Sequence, residues 1–226
     1  MPRTVNATAV EIRREAFVDV AERLIQTKAY EQMSIQDVLD EVGASRGGFY
    51  HYFDSKQQLL DAVVARMADA ALAVVGPIVT ASHLSAIDKL QRLFGGIAAW
   101  KAERRDLVLG IAQVWLSDDN ALVREKFRER LVGQLAPLLA AIIRQGAAEG
   151  TFMATSTDEM ARVLVSLIQA ANQVATELFI ARQQREVSFD AVERTLSAYT
   201  EAYERILGIP AGSLAIDRST LLMWFG

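Results

Sequence analysis

Residues 45–60 read Ser-Arg-Gly-Gly-Phe-Tyr-His-Tyr-Phe-Asp-Ser-Lys-Gln-Gln-Leu-Leu, and their polar groups suit hydrogen bonding to phosphates and base edges better than covalent chemistry. Arg46 carries a guanidinium fork that fits a guanine edge or a phosphate. The Tyr50 hydroxyl and the His51 imidazole can donate to phosphate oxygens. Ser45 can cap a helix, and Lys56 falls in the first turn of the next one, where free N–H groups favour an anion. Gly47 and Gly48 each cost a helix about 1 kcal/mol relative to alanine. In return they let the main chain come close to a neighbour, because neither carries a Cβ. A duplex lying against that backbone accounts for both glycines.

Other chemistries are poorly supplied. The chain of 226 residues has no cysteine and two histidines, His51 and His83. That excludes disulfides, thiolate metal sites and a cysteine nucleophile, and leaves too few imidazoles for a histidine-rich metal cluster. No nucleophile elbow or phosphate-binding loop is present, so a helical-bundle hydrolase or lyase ranks last among the rival readings. No catalytic residue, metal or cofactor is expected.

The elements that must position residues 45–56 are helices. Thr8-Ala-Val-Glu11 has the form of a capping box, followed by apolar residues at helical spacing to about Thr27. A second box, Ser34-Ile-Gln-Asp37, opens a short helix that Gly43 ends. Ser45 then caps a third, so only Gly43-Ala44 separates two helices, which is helix-turn-helix spacing. In that motif the second helix enters the major groove and its N-terminal residues meet bases and phosphates. Asp54 or Ser55 caps a helix running to Val75, about 31 Å at 1.5 Å per residue, with Gly76-Pro77 as its stop.

From Ser82 onward helical periods continue: Ser85 to Arg105, Asp106 to Leu116, Asn120 to Glu149, Thr157 to Arg182 and Ser188 to Leu207. Pro137 should kink or divide the third of these. The expected fold is all-α: an N-terminal three-helix helix-turn-helix domain, residues 1–54, joined by the 55–75 helix to a larger bundle filling the rest of 55–226. No uninterrupted apolar run of eighteen residues and no apolar leader appears, so a soluble cytoplasmic protein with no membrane partner is expected.

The formal charge is −4. Residues 1–66 hold eight Lys and Arg against ten Asp and Glu, a net of −2. Binding to nucleic acid therefore cannot rest on bulk charge and needs a shaped local surface.

The span from about Phe17 to Val63, above all MSIQDVLDEVGASRGGFYHYFDSKQQLLDAV, resembles the N-terminal DNA-binding domain of the TetR family of transcriptional regulators. Its family pattern is carried by Ser34, Gly43, Ser45, Arg46, Gly47, Phe49, Tyr50, Tyr52, Phe53, Ser55, Lys56, Leu59 and Leu60. Gly48 departs from it, standing where many members have threonine, serine or alanine. The resemblance implies that Ser34, Ser45, Arg46, Gly47, Gly48, Tyr50, His51 and Lys56 face DNA. Phe49 and Phe53, four apart, read as core. Tyr52 either packs on the first helix or touches phosphate, and Arg3, Arg13 and Arg14 either form a minor-groove arm or belong to an ordinary terminus.

For the remaining chain the resemblance implies a ligand-binding and dimerisation bundle. A homodimer would form through helices at 158–182 and 188–207, bind a palindromic double-stranded operator, and be released by a small hydrophobic effector of unknown identity. Candidate pocket residues are Phe94, Trp100, Gln113, Trp115 and Phe152, with Gln169, Asn172, Gln173 and Thr176 as polar positions in an otherwise apolar helix. Each also reads as core or interface. The apolar tail Leu-Leu-Met-Trp-Phe is expected to dock on the bundle. The competing reading is an all-helical small-molecule carrier or sensor whose small lobe no longer binds DNA.

Overall fold

Helical periodicity is realised from end to end of the described part of the computed structural model, which covers residues 3–214 and 216–226. The side chains of residues 3–7 and of Gln113 lie outside the described residues, so Arg3 as an arm and Gln113 as a pocket residue find no placement. Among the described residues eleven α-helices follow one another: α1 (Arg3–Gln32), α2 (Ile35–Val42), α3 (Arg46–Tyr50), α4 (Lys56–Ala73), α5 (Val75–Thr80), α6 (Ala86–Glu103), α7 (Arg105–Trp115), α8 (Ala121–Ala148), α9 (Thr157–Gln183), α10 (Phe189–Leu207) and α11 (Arg218–Phe225). One turn of 3-10 helix, Asp118–Asn120, precedes α8. No strand occurs among the described residues.

The caps explain most boundaries. Ser34 Oγ accepts from the Asp37 N–H while Asp37 reaches back to the Ser34 N–H, and Gly43 closes α2 in the left-handed conformation at φ 65°. Ser45 and Ser188 cap α3 and α10 by accepting from Gly48 and Ala191 N–H. Ser55 accepts from Gln58 N–H, and the Gln58 side chain accepts from Asp54 N–H.

Two expectations need correction, and one of the two outcomes expected at Pro137, division of the helix, does not occur. Helix α1 begins at Arg3, before the Thr8 box, and is interrupted at Ala29 (φ 62°, ψ 160°). Helix α4 ends at Ala73, and Gly76-Pro77 lies in the first turn of α5, where proline is tolerated because its missing N–H would have no helical partner. Pro137 does not divide α8. The carbonyl its ring presses on belongs to the residue four before it, Gly133, which has open space around it and no side chain to resist a small backbone adjustment.

The chain packs as two compact units, residues 1–69 with 103–127, and residues 70–102 with 128–226. Packing thus cuts the chain elsewhere than the functional division expected at 54/55, because α4 as far as Asp69 and all of α7 belong to the first unit. Its core holds Phe17, Val38, Leu39, Phe49, Phe53, Leu59, Leu60 and Val63 together with Leu107, Ile111 and Val114 from α7. Phe17 stands edge-on to Phe49 (5.7 Å, 81°) and to Phe53 (6.1 Å, 79°), pairs that add about 0.5–1.5 kcal/mol each beyond burial. Helix α7 approaches α1 so closely that a Cβ on Gly110 would lie 2.4 Å from the Ile25 carbonyl oxygen.

In the second unit Leu90, Leu93, Leu135, Leu139, Ile142 and Ile143 are fully buried. Buried Lys89 donates to the Val79 carbonyl (2.6 Å) and Gln145 Oε1 (2.7 Å). The buried Glu204 carboxylate accepts from Gly212 and Leu214 N–H and so pins the turn after α10. The apolar tail forms α11 and docks on its own chain. Leu221 and Phe225 join Val192 and Leu196 in one cluster, Arg182 donates to the Phe225 carbonyl, and Arg218 pairs with Glu193.

Three helical stretches, 56–80, 118–148 and 157–183, are long and apolar enough by length and composition to cross a membrane. In the last, 11% of the most apolar window is buried within the chain.

Candidate nucleic-acid interface

Helix α3 is five residues long and is held from beneath by Phe49, which is fully buried against Phe17 and Phe53. That anchor turns Ser45, Arg46, Gly47, Tyr50 and His51 outward, and all five are exposed, with Gly48 half-buried. Tyr50 leans edge-on against Phe49 (5.4 Å) and His51 against Tyr52 (4.9 Å). Tyr52 packs on Phe17 at 5.7 Å, which favours the packing alternative for that residue.

Nothing in the fold requires the two glycines. Both have ordinary helical backbone, a Cβ on Gly47 would meet no atom within 4 Å, and one on Gly48 would meet Ser45 Oγ at 3.5 Å, an ordinary contact. Their absence of side chains is a helix penalty with no internal compensation.

The cations of this unit divide sharply. Arg13 donates to the Gly43 carbonyl. Arg14 pairs with Glu11 and Glu15 and lies over the Phe53 ring. Arg23 pairs with Glu41, Lys28 with Asp37, and Arg66 with Glu15, Asp19 and Glu22. Arg13 and Arg14 therefore sit inside α1, tied to the protein, and do not form an arm. Arg46 alone of the cations described in residues 8–66 has no hydrogen bond or ion pair among the described residues. A lobe whose acids outnumber its bases thus leaves one guanidinium, among those described in residues 8–66, with neither a hydrogen bond nor an ion pair, on the exposed face of α3.

Two expected contacts are already engaged. Ser34 donates both its N–H (2.7 Å) and its hydroxyl (2.8 Å) to Asp37 Oδ2, so a carboxylate occupies the place an external anion would take. Hydrogen bonding from Ser34 N–H, then from Lys28 and the Ser34 hydroxyl, lowers the Asp37 pKa to about 2. The Lys56 ammonium lies 4.1 Å from the Tyr30 ring centroid and donates to the Glu31 carbonyl at 3.4 Å. Partial burial lowers its pKa. Ser45 keeps its hydroxyl proton free, since its oxygen acts as acceptor to Gly48 N–H.

The candidate pocket residues are dispersed. Phe94 lines a cavity with Leu90, Leu164, Ile168, Tyr203 and Leu207. Its free volume is about 10 Å3, room for about one water molecule. Phe94 stacks on Tyr203 at 5.6 Å. Trp115 packs in the first unit, edge-on to Phe127 (5.4 Å), and Trp100 is buried in the second. Phe152 fills the space left by Gly146, where a Cβ would collide with its ring, so it is a packing wedge. Gln169 donates to the Arg128 carbonyl, Gln173 is exposed beside Glu177, and Thr176 bonds back to Asn172 on its own helix. Asn172 accepts from Lys101 at 2.8 Å. Lys101 escaped the sequence reading, although a lysine among apolar residues on α6 was a visible signal.

A short helix capped by serine, anchored by an aromatic core and presenting an unpaired arginine over bare backbone defines a helix-turn-helix DNA-binding domain. The family described as "Bacterial regulatory proteins, tetR family" matches residues 17–63. The chain is 43% identical over 51 residues to an uncharacterized HTH-type transcriptional regulator of Lactococcus lactis subsp. lactis, covering 23% of this chain and 26% of that relative. It is 25% identical over 160 residues to the HTH-type transcriptional repressor KstR2 of Rhodococcus jostii, covering 66% of this chain and 72% of that protein. In fold it is similar to RolR solved with resorcinol, at TM-score 0.64 and 16% identity, over 96% of this chain and 95% of that one. Residues 17–63 thus match the DNA-binding domain of the tetR family of bacterial regulatory proteins, and the chain as a whole shares its fold with RolR.

Proposed function

We propose that this protein is a TetR-family transcriptional regulator, a repressor that binds a palindromic operator as a homodimer, with α3 of each copy in successive major grooves about 34 Å apart. The carrying observation is that the fold would accept a Cβ at both glycines, in open space at Gly47 and in ordinary contact with Ser45 Oγ at Gly48, beside an Arg46 with no partner among the described residues. A helix penalty that the fold does not use is explained by close approach to something outside the chain.

The second copy packs through helices 158–182 and 188–207. The light burial of an apolar α9, with Val163 53% exposed, supports this face as the one a partner covers. A small, largely hydrophobic effector lodges in the 70–102 and 128–226 unit, which must open its present cavity to admit one. It releases DNA only by binding the non-operator conformation more tightly. RolR, similar in fold, is described with resorcinol bound, which supports a bundle of this kind accommodating a small molecule. Such a protein works in the cytoplasm, where the operator is.

Fluorescence anisotropy with the DNA upstream of the gene tests the reading. Expected is sequence-selective binding that weakens steeply with salt, and that Arg46→Ala weakens by about 1–3 kcal/mol. Absence of salt-sensitive, selective binding would favour a carrier or sensor with a DNA-incompetent lobe.

A further inference from the structure

Helices α6 and α9 share a seam in the second unit. On α6, Leu90, Phe94 and Lys101 follow at steps of four and seven, and on α9, Leu164, Ile168 and Asn172 follow at steps of four. Both spacings keep residues on one helix face. The cavity lies at the Leu90, Phe94, Leu164 and Ile168 end, and the Lys101–Asn172 bond lies farther along the same faces. From Phe94 to Lys101 is about 10 Å at 1.5 Å per residue.

Lys101 is half-buried, and its one hydrogen bond among the described residues goes to a neutral amide oxygen, Asn172 Oδ1 at 2.8 Å. Burial lowers its pKa, with no nearby charge contributing. Its burial is therefore not offset by a carboxylate. Lys89, the other lysine withdrawn into this unit, has two strong acceptors and pins Val79 to Gln145. Asn172 Nδ2 has no hydrogen bond among the described residues. Two donors, one charged, thus stand at the end of an apolar seam without an anion.

We propose that Lys101 and Asn172 form the anion-binding end of the effector site, and that the effector is an amphiphile with a carboxylate head and an apolar body. The head takes the Lys101 ammonium and the Asn172 Nδ2 hydrogens, and the body enters the seam toward Phe94, displacing its stacking on Tyr203. This rests on the reading of the unit as an effector domain and adds the chemical class it accepts.

Isothermal titration of the purified full chain with decanoate and with decan-1-ol tests it. Decanoate is expected to bind about tenfold or more tighter than the alcohol, the factor that one charge-assisted hydrogen bond supplies. Lys101→Met removes the preference, Lys101→Arg keeps it, and Asn172→Asp removes it by giving Lys101 an internal carboxylate. Circular dichroism checks that each variant is folded. Equal affinity for acid and alcohol in the unaltered protein, no decanoate binding, or a folded Lys101→Met chain that still prefers decanoate would each overturn the proposal. Anisotropy with operator DNA and no amphiphile reads the regulatory function separately, so either result can fail while the other stands.

Discussion

Two glycine sites in the first unit contrast. At Gly110, between α7 and α1, an added Cβ would stand 2.4 Å from the Ile25 carbonyl oxygen and 2.8 Å from its side chain. At Gly47, on the exposed side of α3, it would meet nothing. The same residue type answers an internal demand in one place and none in the other. Bare backbone at a helix crossing speaks of packing, whereas bare backbone facing solvent speaks of a partner.

The contrast is sharpest in the response to a single methyl. Gly110→Ala has the largest expected effect: a backbone carbonyl cannot swing aside, so α7 must separate from α1, at about 3 kcal/mol or more. Urea unfolding reads this as a lower midpoint, and an unchanged midpoint would remove the close approach from the account. Gly47→Ala with Gly48→Ala should do the reverse to the fold, leaving it as stable or more so by up to about 2 kcal/mol for the pair, while operator affinity falls tenfold or more. A variant that gains stability and keeps full operator affinity would end the reading of α3 as a close-contact helix.

The smallest effect concerns the cap that opens α2. The Asp37 pKa, about 2 against an ordinary 3.8, is lowered first by the Ser34 N–H and then by Lys28 and the Ser34 hydroxyl. A depressed carboxyl stabilises the fold in full above about pH 4 and loses that contribution as pH falls toward 2. Acid unfolding of Asp37→Asn should lack that part of the pH dependence.

Much of this was legible in the sequence because it is local. The Ser34, Ser45 and Ser188 caps, the left-handed Gly43 and Gly208, and the buried Phe49 and Phe53 all follow from residue types within a few positions of one another. What was not legible depends on residues far apart in the chain. No local pattern says that Gly110 meets Ile25, that Phe152 fills the hollow at Gly146, or that Lys56 lies over Tyr30. The Thr8 box misled because a capping pattern also fits inside a helix that starts earlier. The pocket residues scattered because tryptophan and phenylalanine serve as core far more readily than as lining, as Trp115 against Phe127 illustrates.

Ala29 interrupts α1 in a conformation that side-chain-bearing residues rarely adopt (φ 62°, ψ 160°), at about 1–3 kcal/mol. The bend delivers Tyr30 and Met33 into the core, so the chain holds a spring under load at the threshold of its reading head. Exchanging that one methyl for hydrogen would slacken the spring without moving either anchor, making residue 29 the natural place to trade rigidity of the DNA-facing lobe against ease of folding.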